Sequence, residues 1–599
     1  MKNNKNNKKN RTNEKEYNEV KLDKSKKSIW FRMLAYFKTV LPLLFLAMFF
    51  ALIIIAADLL SPYITKMIID DYIGGKNTGI NIYFLGGLYL FLSILGAVTQ
   101  YFQVNILNYM GQKIIHSIRM QVFTHIQHMS LKFFDKNSTG SLLTRVTNDI
   151  EAISELYSGV IVDLFKDVFM IAGIVGAMIL LNWKIALVNF SIIPLIIFAT
   201  VVFNGQAKKN FRWARSLIAR INAFFAENIS GMKLVQIFNK QSEKYGEYEK
   251  INREYNKATV MGVRLNAIFK PSSEFINNLA ISILIWFCAG DIISGLLEFG
   301  VLYAFITYSK KFFSPINDLA DKFTTIQSGR VSAERIFELL DSTEYIEDLS
   351  KGKSVPKIKG EIEFKNVWFA YIDEEYVLKD ISFKINAGET AAFVGATGSG
   401  KSTIINLMGR FYDVQKGEIL LDGVNIKEYR LDELRKSIAV VMQDVFLFAG
   451  DIKSNIRLNN FNITDSQIEE AAKYVNADNF IQELNRKYDE PVMERGATLS
   501  AGQRQLLSFA RAVAFNPPLL VLDEATASID TENEEIIQES LKKISKDRTT
   551  VIIAHRLSTI KNADIIIVIH NGVITEMGKH DELLQNDGIY KKFYEIQFS

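Results

Sequence analysis

Cysteine occurs once in 599 residues, at Cys288, and histidine only six times. A single thiol excludes a disulfide framework and any multi-cysteine zinc site. Excess charge is also lacking. Lys and Arg number 70 against 66 Asp and Glu, so the net charge is +4. That balance excludes a strongly basic nucleic-acid binder. With 48% hydrophobic residues, the chain is neither disordered nor collagen-like.

The even balance conceals unlike segments. Residues 1–27 carry 10 basic and 4 acidic side chains and read as a disordered Lys/Asn-rich tail. Residues 28–360 hold 58 charges in 333 positions, with a net charge of +8. Residues 361–599 hold 64 charges in 239 positions, with a net charge of −10. A charge-poor middle is therefore joined to a charge-rich acidic end.

Six apolar runs mark the middle, near 41–60, 82–104, 158–181, 183–204, 272–292 and 296–314. Each has the roughly 20 residues that carry a helix across about 30 Å of hydrocarbon. The last two are weaker, because one opens on SSEFINN and the other carries Lys310 and Lys311 near its end. A cleavable signal is disfavoured for the first run, which is long and follows a long polar tail. Residues 111–157 carry five Lys/Arg and residues 205–264 carry twelve. The short connections on the other side carry three between them. The basic loops are therefore expected in the cytoplasm, with both termini. Residues 111–130 and 206–260 lack Pro and read as helical, so the membrane helices should continue into the cytosol. Polar residues within the runs include Asp58, Asp163 and Asp167; near the ends, snorkelling or pairing of Asp163 or Asp167 with Lys166 is the plain expectation.

After a polar linker near 342–360 the pattern changes. Short β-rich runs alternate with helical segments, as in an α/β domain with a largely parallel sheet. Gly395-Ala396-Thr397-Gly398-Ser399-Gly400-Lys401-Ser402, followed by Thr403, fills every fixed position of G-x-x-x-x-G-K-[ST]. It also sits between an apolar strand and a helix, where a phosphate loop belongs. The glycines let backbone N–H groups face phosphate oxygens, and the helix N-terminus adds its dipole. Lys401 would neutralise the β- and γ-phosphates, and Ser402 would offer a hydroxyl to Mg²⁺. Leu519-Leu520-Val521-Leu522 then reads as a buried strand ending in Asp523 and Glu524. Asp523 suits Mg²⁺, and Glu524 can polarise an attacking water.

These motifs resemble the ATP-binding cassette (ABC) exporters, in the form of a half-transporter, over about residues 28–599. The resemblance implies a membrane α-helical bundle of six helices with long cytoplasmic extensions, plus an α/β P-loop nucleotide-binding domain. It divides the chain into a tail at 1–27, a transmembrane domain at 28–340, a linker at 341–360 and the nucleotide domain at 361–599. It implies ATP and Mg²⁺ as ligands. Tyr371 matches the adenine-stacking aromatic, Gln443 the Q-loop glutamine and His555 the switch histidine at the γ-phosphate. Ser500-Ala501-Gly502-Gln503 matches the signature loop, which closes ATP bound on an opposing domain. Residues 527–530 match the D-loop, and Glu494-Arg495-Gly496 the exporter X-loop. Coupling helices are expected around Phe133–Ser141 and around Ala226–Lys233.

One position departs from the family pattern. Ala501 stands where the signature usually has glycine. Neutral variation is one reading. The other is a heterodimer in which this signature faces a degenerate partner site; a heterodimer is favoured and a homodimer stays open. The resemblance points to ATP-driven export of amphipathic compounds, multidrug- or lipid-like, across the cell membrane. Uptake through an exporter-like fold, or an ATP-regulated channel or sensor subunit, are the alternatives. Among the other histidines, His116, His125 and His128 should share one helix, as a solvated face or, less simply, a metal site. His570 and His580 read as surface residues.

Overall fold

The computed structural model describes residues 29–73, 81–347, 358–523, 531–546, 548–553 and 560–598. The expected tail and D-loop, and the assignments to Glu524 and His555, lie outside these residues. Two compact units emerge: residues 1–127 with 139–342, and residues 128–138 with 343–599.

The first unit is helical. Five stretches are long and apolar enough to cross a membrane among the described residues: Ile29–Tyr72, Ile82–Gln127, Thr139–Leu181, Trp183–Ser230 and Gln241–Ile293. They contain the first five runs. The sixth run, from Phe299 on, lies in one continuous helix, Phe299–Asp341, which does not reach the same apolarity. Its Val301, Phe305, Tyr308 and Phe312 nevertheless enter a core with Ile55, Ile174 and Leu284, and its Lys311 is paired: the ammonium donates to the Asp58 carboxylate at 2.8 Å and to the Asp58 carbonyl at 2.9 Å. An ion pair of this kind offsets part of the cost of placing a cation among apolar helices. The expectation that Asp163 or Asp167 pairs with Lys166 is corrected. Both carboxylates instead face Lys322 of the same last helix, at 3.6 and 2.7 Å. Sequence neighbours on one helix lose here to a partner from another helix.

Large apolar side chains cover the outside of this unit. Phe45, Phe91, Leu180 and Trp286 are all exposed. Water would penalise such a surface, whereas lipid would not. The helix Ile82–Gln127 has 46 residues, or about 70 Å at 1.5 Å per residue, more than twice the hydrocarbon thickness. The segment read as 206–260 forms the helices Ile193–Ser230, Met232–Ile237 and Gln241–Ile293. At the start of the described chain, the short helix Ile29–Tyr36 is clamped to the last one. Arg32 forks onto Asp341 at 2.6 and 2.9 Å and lies over the Phe337 ring.

The second unit is α/β. A four-stranded antiparallel sheet runs β2-β1-β4-β5: Tyr376–Ile385, Ile362–Ala370, Lys416–Leu421 and Val424–Asn425. The main sheet runs β12-β11-β3-β10-β9-β6. Its strands are Val573–Gly578, Ile565–His570, Thr390–Val394, Thr549–Ile553, Leu519–Asp523 and Ile438–Val441. Only β12 is antiparallel to its neighbour in this sheet. A two-residue pair, β7 (Gly450–Asp451) and β8 (Pro491–Val492), completes the strands.

The period-2 alternation of the central strands feeds two cores. Ala392, Val394, Leu520 and Leu522 enter one core, with the helix Ala501–Phe515. Ala391, Phe393, Leu519 and Val521 enter the other, with Ile404, Leu407 and Met408 of the helix Lys401–Met408. The phosphate-loop helix and the signature helix thus lie on opposite faces of one sheet.

Two histidine expectations are corrected. His580 is buried rather than at the surface, with Nδ1 2.7 Å from the Tyr590 hydroxyl. The C-terminal helix Ile589–Phe598 supplies that cover. His128 falls just beyond the helix that carries His116 and His125. No metal-holding group of His, Cys, Asp or Glu occurs among the described residues.

Candidate functional site: a phosphate loop at the carboxyl edge of the sheet

Parallel strands present their carboxyl ends on one edge, where open α/β folds bind ligands. Here β3 ends at Val394 and runs into residues 395–400, which lead to the helix Lys401–Met408. The neighbouring β10 aligns Ile553 with Phe393 and with Asp523 at the end of β9. In turn β6 aligns Val441 with Leu522, and Gln443 follows two residues later, exposed. The edge therefore gathers the phosphate loop, Asp523 and Gln443.

The loop is shaped by what glycine alone allows. A Cβ on Gly395 would lie 2.2 Å from the Ile569 carbonyl oxygen, so this strand end packs directly against β11. Gly400 caps the following helix at φ +108°, in the left-handed region that disfavours side chains. Ala396, Thr397 and Gly398 are exposed, whereas Ser399 is buried. Lys401 is buried, and its ammonium donates to the carbonyls of Gly395 at 2.7 Å and Ala396 at 3.0 Å. The cation is thus folded over its own loop. The buried Ser399 hydroxyl has no hydrogen-bond partner in the protein. An orphaned hydroxyl beside a buried ammonium and a helix N-terminus fits an anionic ligand such as phosphate. Ser402 is exposed at that N-terminus, and Thr403 behind it is buried.

Tyr371 follows β1 and reaches the same helix. Its hydroxyl donates to Thr403 Oγ1 at 3.2 Å. Its ring meets Phe369 and Tyr412 edge-on, with centroids at 4.8 and 5.2 Å. Tyr412 matches no motif in the sequence; the structure alone brings it against Phe369 and Tyr371.

The signature residues do not join this cluster. Ser500 caps the helix Ala501–Phe515, accepting from the Gln503 amide, while the Gln503 side chain accepts from the Ser500 amide. Ala501 occupies the first helical position, where alanine is well tolerated, and Gly502 behind it is buried. Because this helix packs on the opposite face of the sheet, the loop is separated from the phosphate loop of its own chain.

A phosphate loop on an α/β sheet, fused to long apolar helices, defines the chain as a membrane-bound ATPase. Two family profiles agree: the ABC transporter transmembrane region matches residues 44–316, and the ABC transporter domain matches residues 378–527. YknV of Bacillus subtilis, an uncharacterized ABC transporter ATP-binding protein, is 38% identical, with 94% of this chain and 93% of YknV aligned. YheH of the same organism, named a probable multidrug resistance ABC transporter ATP-binding/permease protein, is 42% identical over 85% of this chain and 76% of YheH. An ATP-dependent lipid A-core flippase of Syntrophus aciditrophicus is 35% identical over 90% and 89%. The solved structure of a bacterial Atm1-family ABC exporter with ATP bound superposes with a TM-score of 0.77 at 26% identity, covering 92% of this chain and 97% of that one. The chain belongs to the ABC transporter family, as an exporter half-transporter with fused membrane and nucleotide-binding domains. It is a multi-pass membrane protein that binds ATP and acts as an ATPase, and such half-transporters function as dimers.

Proposed function

We propose that the dimer exports amphipathic or hydrophobic compounds, drug- or lipid-like, across the cell membrane by alternating access driven by ATP. The observation that carries this reading is the place of residues 128–138. This loop joins two long helices of the membrane unit, yet it belongs to the compact α/β unit. In this reading a movement of the ATPase is passed through this loop along the chain to those helices. Two relatives are named for multidrug resistance and for lipid A-core flipping, and amphiphiles are what such substrates share.

In this reading Tyr371 stacks on adenine and Lys401 neutralises the β- and γ-phosphates. Glu524 polarises the attacking water, and His555 contacts the γ-phosphate. Ser402, Gln443 and Asp523 would hold Mg²⁺. A hydroxyl, a carboxamide and a carboxylate are oxygen donors that suit this hard cation, which also takes phosphate oxygens and water. When bound, the ion neutralises charge developing on the phosphates. Ser500, Ala501, Gly502 and Gln503 would close ATP held on the partner, which is supported by their place on the far face of the sheet. ATP binding then shifts the population toward a closed dimer, and hydrolysis releases it. The basic loops and the nucleotide domain face the cytoplasm, with both termini.

Transport is tested by ATP-dependent dye uptake into inside-out vesicles. Accumulation is expected; its absence despite ATP hydrolysis counts against export. The partner is proposed to be a second, related half-transporter whose own ATP site is degenerate and faces Ala501. Co-expression with the neighbouring reading frame is expected to yield a one-to-one complex with ATPase activity that this chain lacks alone. A fully active homodimer contradicts the heterodimer.

A further inference from the structure

The turn after the phosphate-loop helix reads Gly409-Arg410-Phe411-Tyr412-Asp413. Arg410 is fully buried. Its guanidinium donates to Asp413 at 3.0 Å and to the Glu347 carbonyl at 2.8 Å. A buried cation is costly unless its donors are occupied, so the turn and the segment at 347 hold each other.

Tyr412 faces both the nucleotide side and the loop 128–138. Its ring stands edge-on to Tyr371, at an interplanar angle of 88°. Its hydroxyl donates to Asp135 at 2.5 Å. Burial, then the Asp135 carboxylate, pushes the Tyr412 phenol above its usual range, so the hydroxyl stays a donor. Asp135 lies on the short helix Leu131–Lys136, whose Phe133 is buried. Both ends of that helix are fastened to Glu344. The Ser130 amide donates to the Glu344 carbonyl at 2.9 Å, and Lys136 pairs with the Glu344 carboxylate at 2.6 Å. The loop 128–138 and the segment from 343 contain every chain connection between the two compact units.

We propose that Tyr412 is a positioning residue that relays adenine contact at Tyr371 to Asp135, and so to the loop that leads into the membrane helices. The assignment rests on Tyr371 stacking the base, as proposed above. A base against Tyr371 restrains that ring, the edge contact restrains Tyr412, and the hydroxyl position sets the bond to Asp135. Hydrogen bonds weaken steeply with misalignment, so a small ring displacement suffices.

The test uses the full-length complex with Lys132→Cys carrying an environment-sensitive fluorophore. Lys132 is exposed, and the one native thiol, Cys288, is buried. Titration with ATP yields a half-saturating concentration and a response amplitude. Tyr412→Phe keeps the ring against Tyr371 and removes only the hydroxyl. The amplitude is expected to fall roughly tenfold while half-saturation stays within about twofold. Asp135→Ala should cause the same loss, and the double variant should lose no more, because both delete one bond. Full amplitude in Tyr412→Phe, losses that multiply in the double variant, or a half-saturation shift as large as the amplitude loss overturns the relay. Should Tyr412→Phe fail to fold, Asp135→Ala alone decides by the same amplitude and half-saturation. The label reads ATP binding, not flux. A complex that responds fully but moves no dye therefore contradicts the proposed export and leaves the relay standing.

Discussion

Glu524→Gln is expected to lower ATP turnover by roughly two to three orders of magnitude while ATP affinity is retained, the range typical of removing a general base. Glu524 is next in the sequence after Asp523, which ends β9 at the edge that carries the phosphate loop. A carboxylate there can draw a proton from water, whereas an amide of the same shape cannot. The phosphate loop, Tyr371 and the proposed Mg²⁺ donors are untouched, so nucleotide should still bind. Without hydrolysis the closed dimer should persist. Phosphate release and equilibrium ATP binding, measured on the same preparation, check this. Normal turnover in the variant would remove Glu524 from the mechanism.

Gly395→Ala should abolish function at an earlier step. The added methyl would meet the Ile569 carbonyl oxygen at 2.2 Å; the methyl is fixed rigidly to Cα, and the oxygen is backbone. Neither can swing away as a side chain can, so β3 and β11 must separate or the loop must shift. The Gly395 carbonyl also holds the Lys401 ammonium. Displacing it moves the cation proposed to meet the phosphates. ATP affinity is expected to fall at least about tenfold, and overpacking of this kind costs roughly 1–3 kcal/mol of stability. Binding of a fluorescent ATP analogue together with a melting curve checks both. Unchanged affinity would mean that the loop tolerates a side chain at its entry.

What the sequence made legible was local. The phosphate loop announced itself because one strand, one glycine-rich turn and one helix N-terminus are contiguous in the chain. The membrane runs were legible because lipid selects long apolar stretches whatever their neighbours. Long-range pairing was not legible. Lys311 looked like a flaw in the sixth helix until Asp58, 253 residues away, was found beside it. Lys322 took the carboxylates that Lys166 was expected to hold, because helix packing set the partner. Tyr412 carries no motif of its own; its partner Asp135 lies 277 positions away. His580 looked polar enough for the surface until a helix from the chain end covered it. The division of the signature and phosphate-loop helices between two faces follows from strand alternation. The alternation was readable, but the assignment of helices to faces was not, because it depends on connections that carry little periodic signal.

The central claim is ATP-driven movement of an amphiphile from the cytoplasmic side outward. The most direct measurement places the complex in proteoliposomes, with only those molecules whose nucleotide domains face outward supplied with ATP, and follows a fluorescent amphipathic dye. Dye should accumulate in the lumen with ATP and Mg²⁺, and accumulation should vanish when Glu524→Gln replaces the native chain. ATP-dependent loss of preloaded dye from the lumen, or accumulation that persists in Glu524→Gln, would contradict the account.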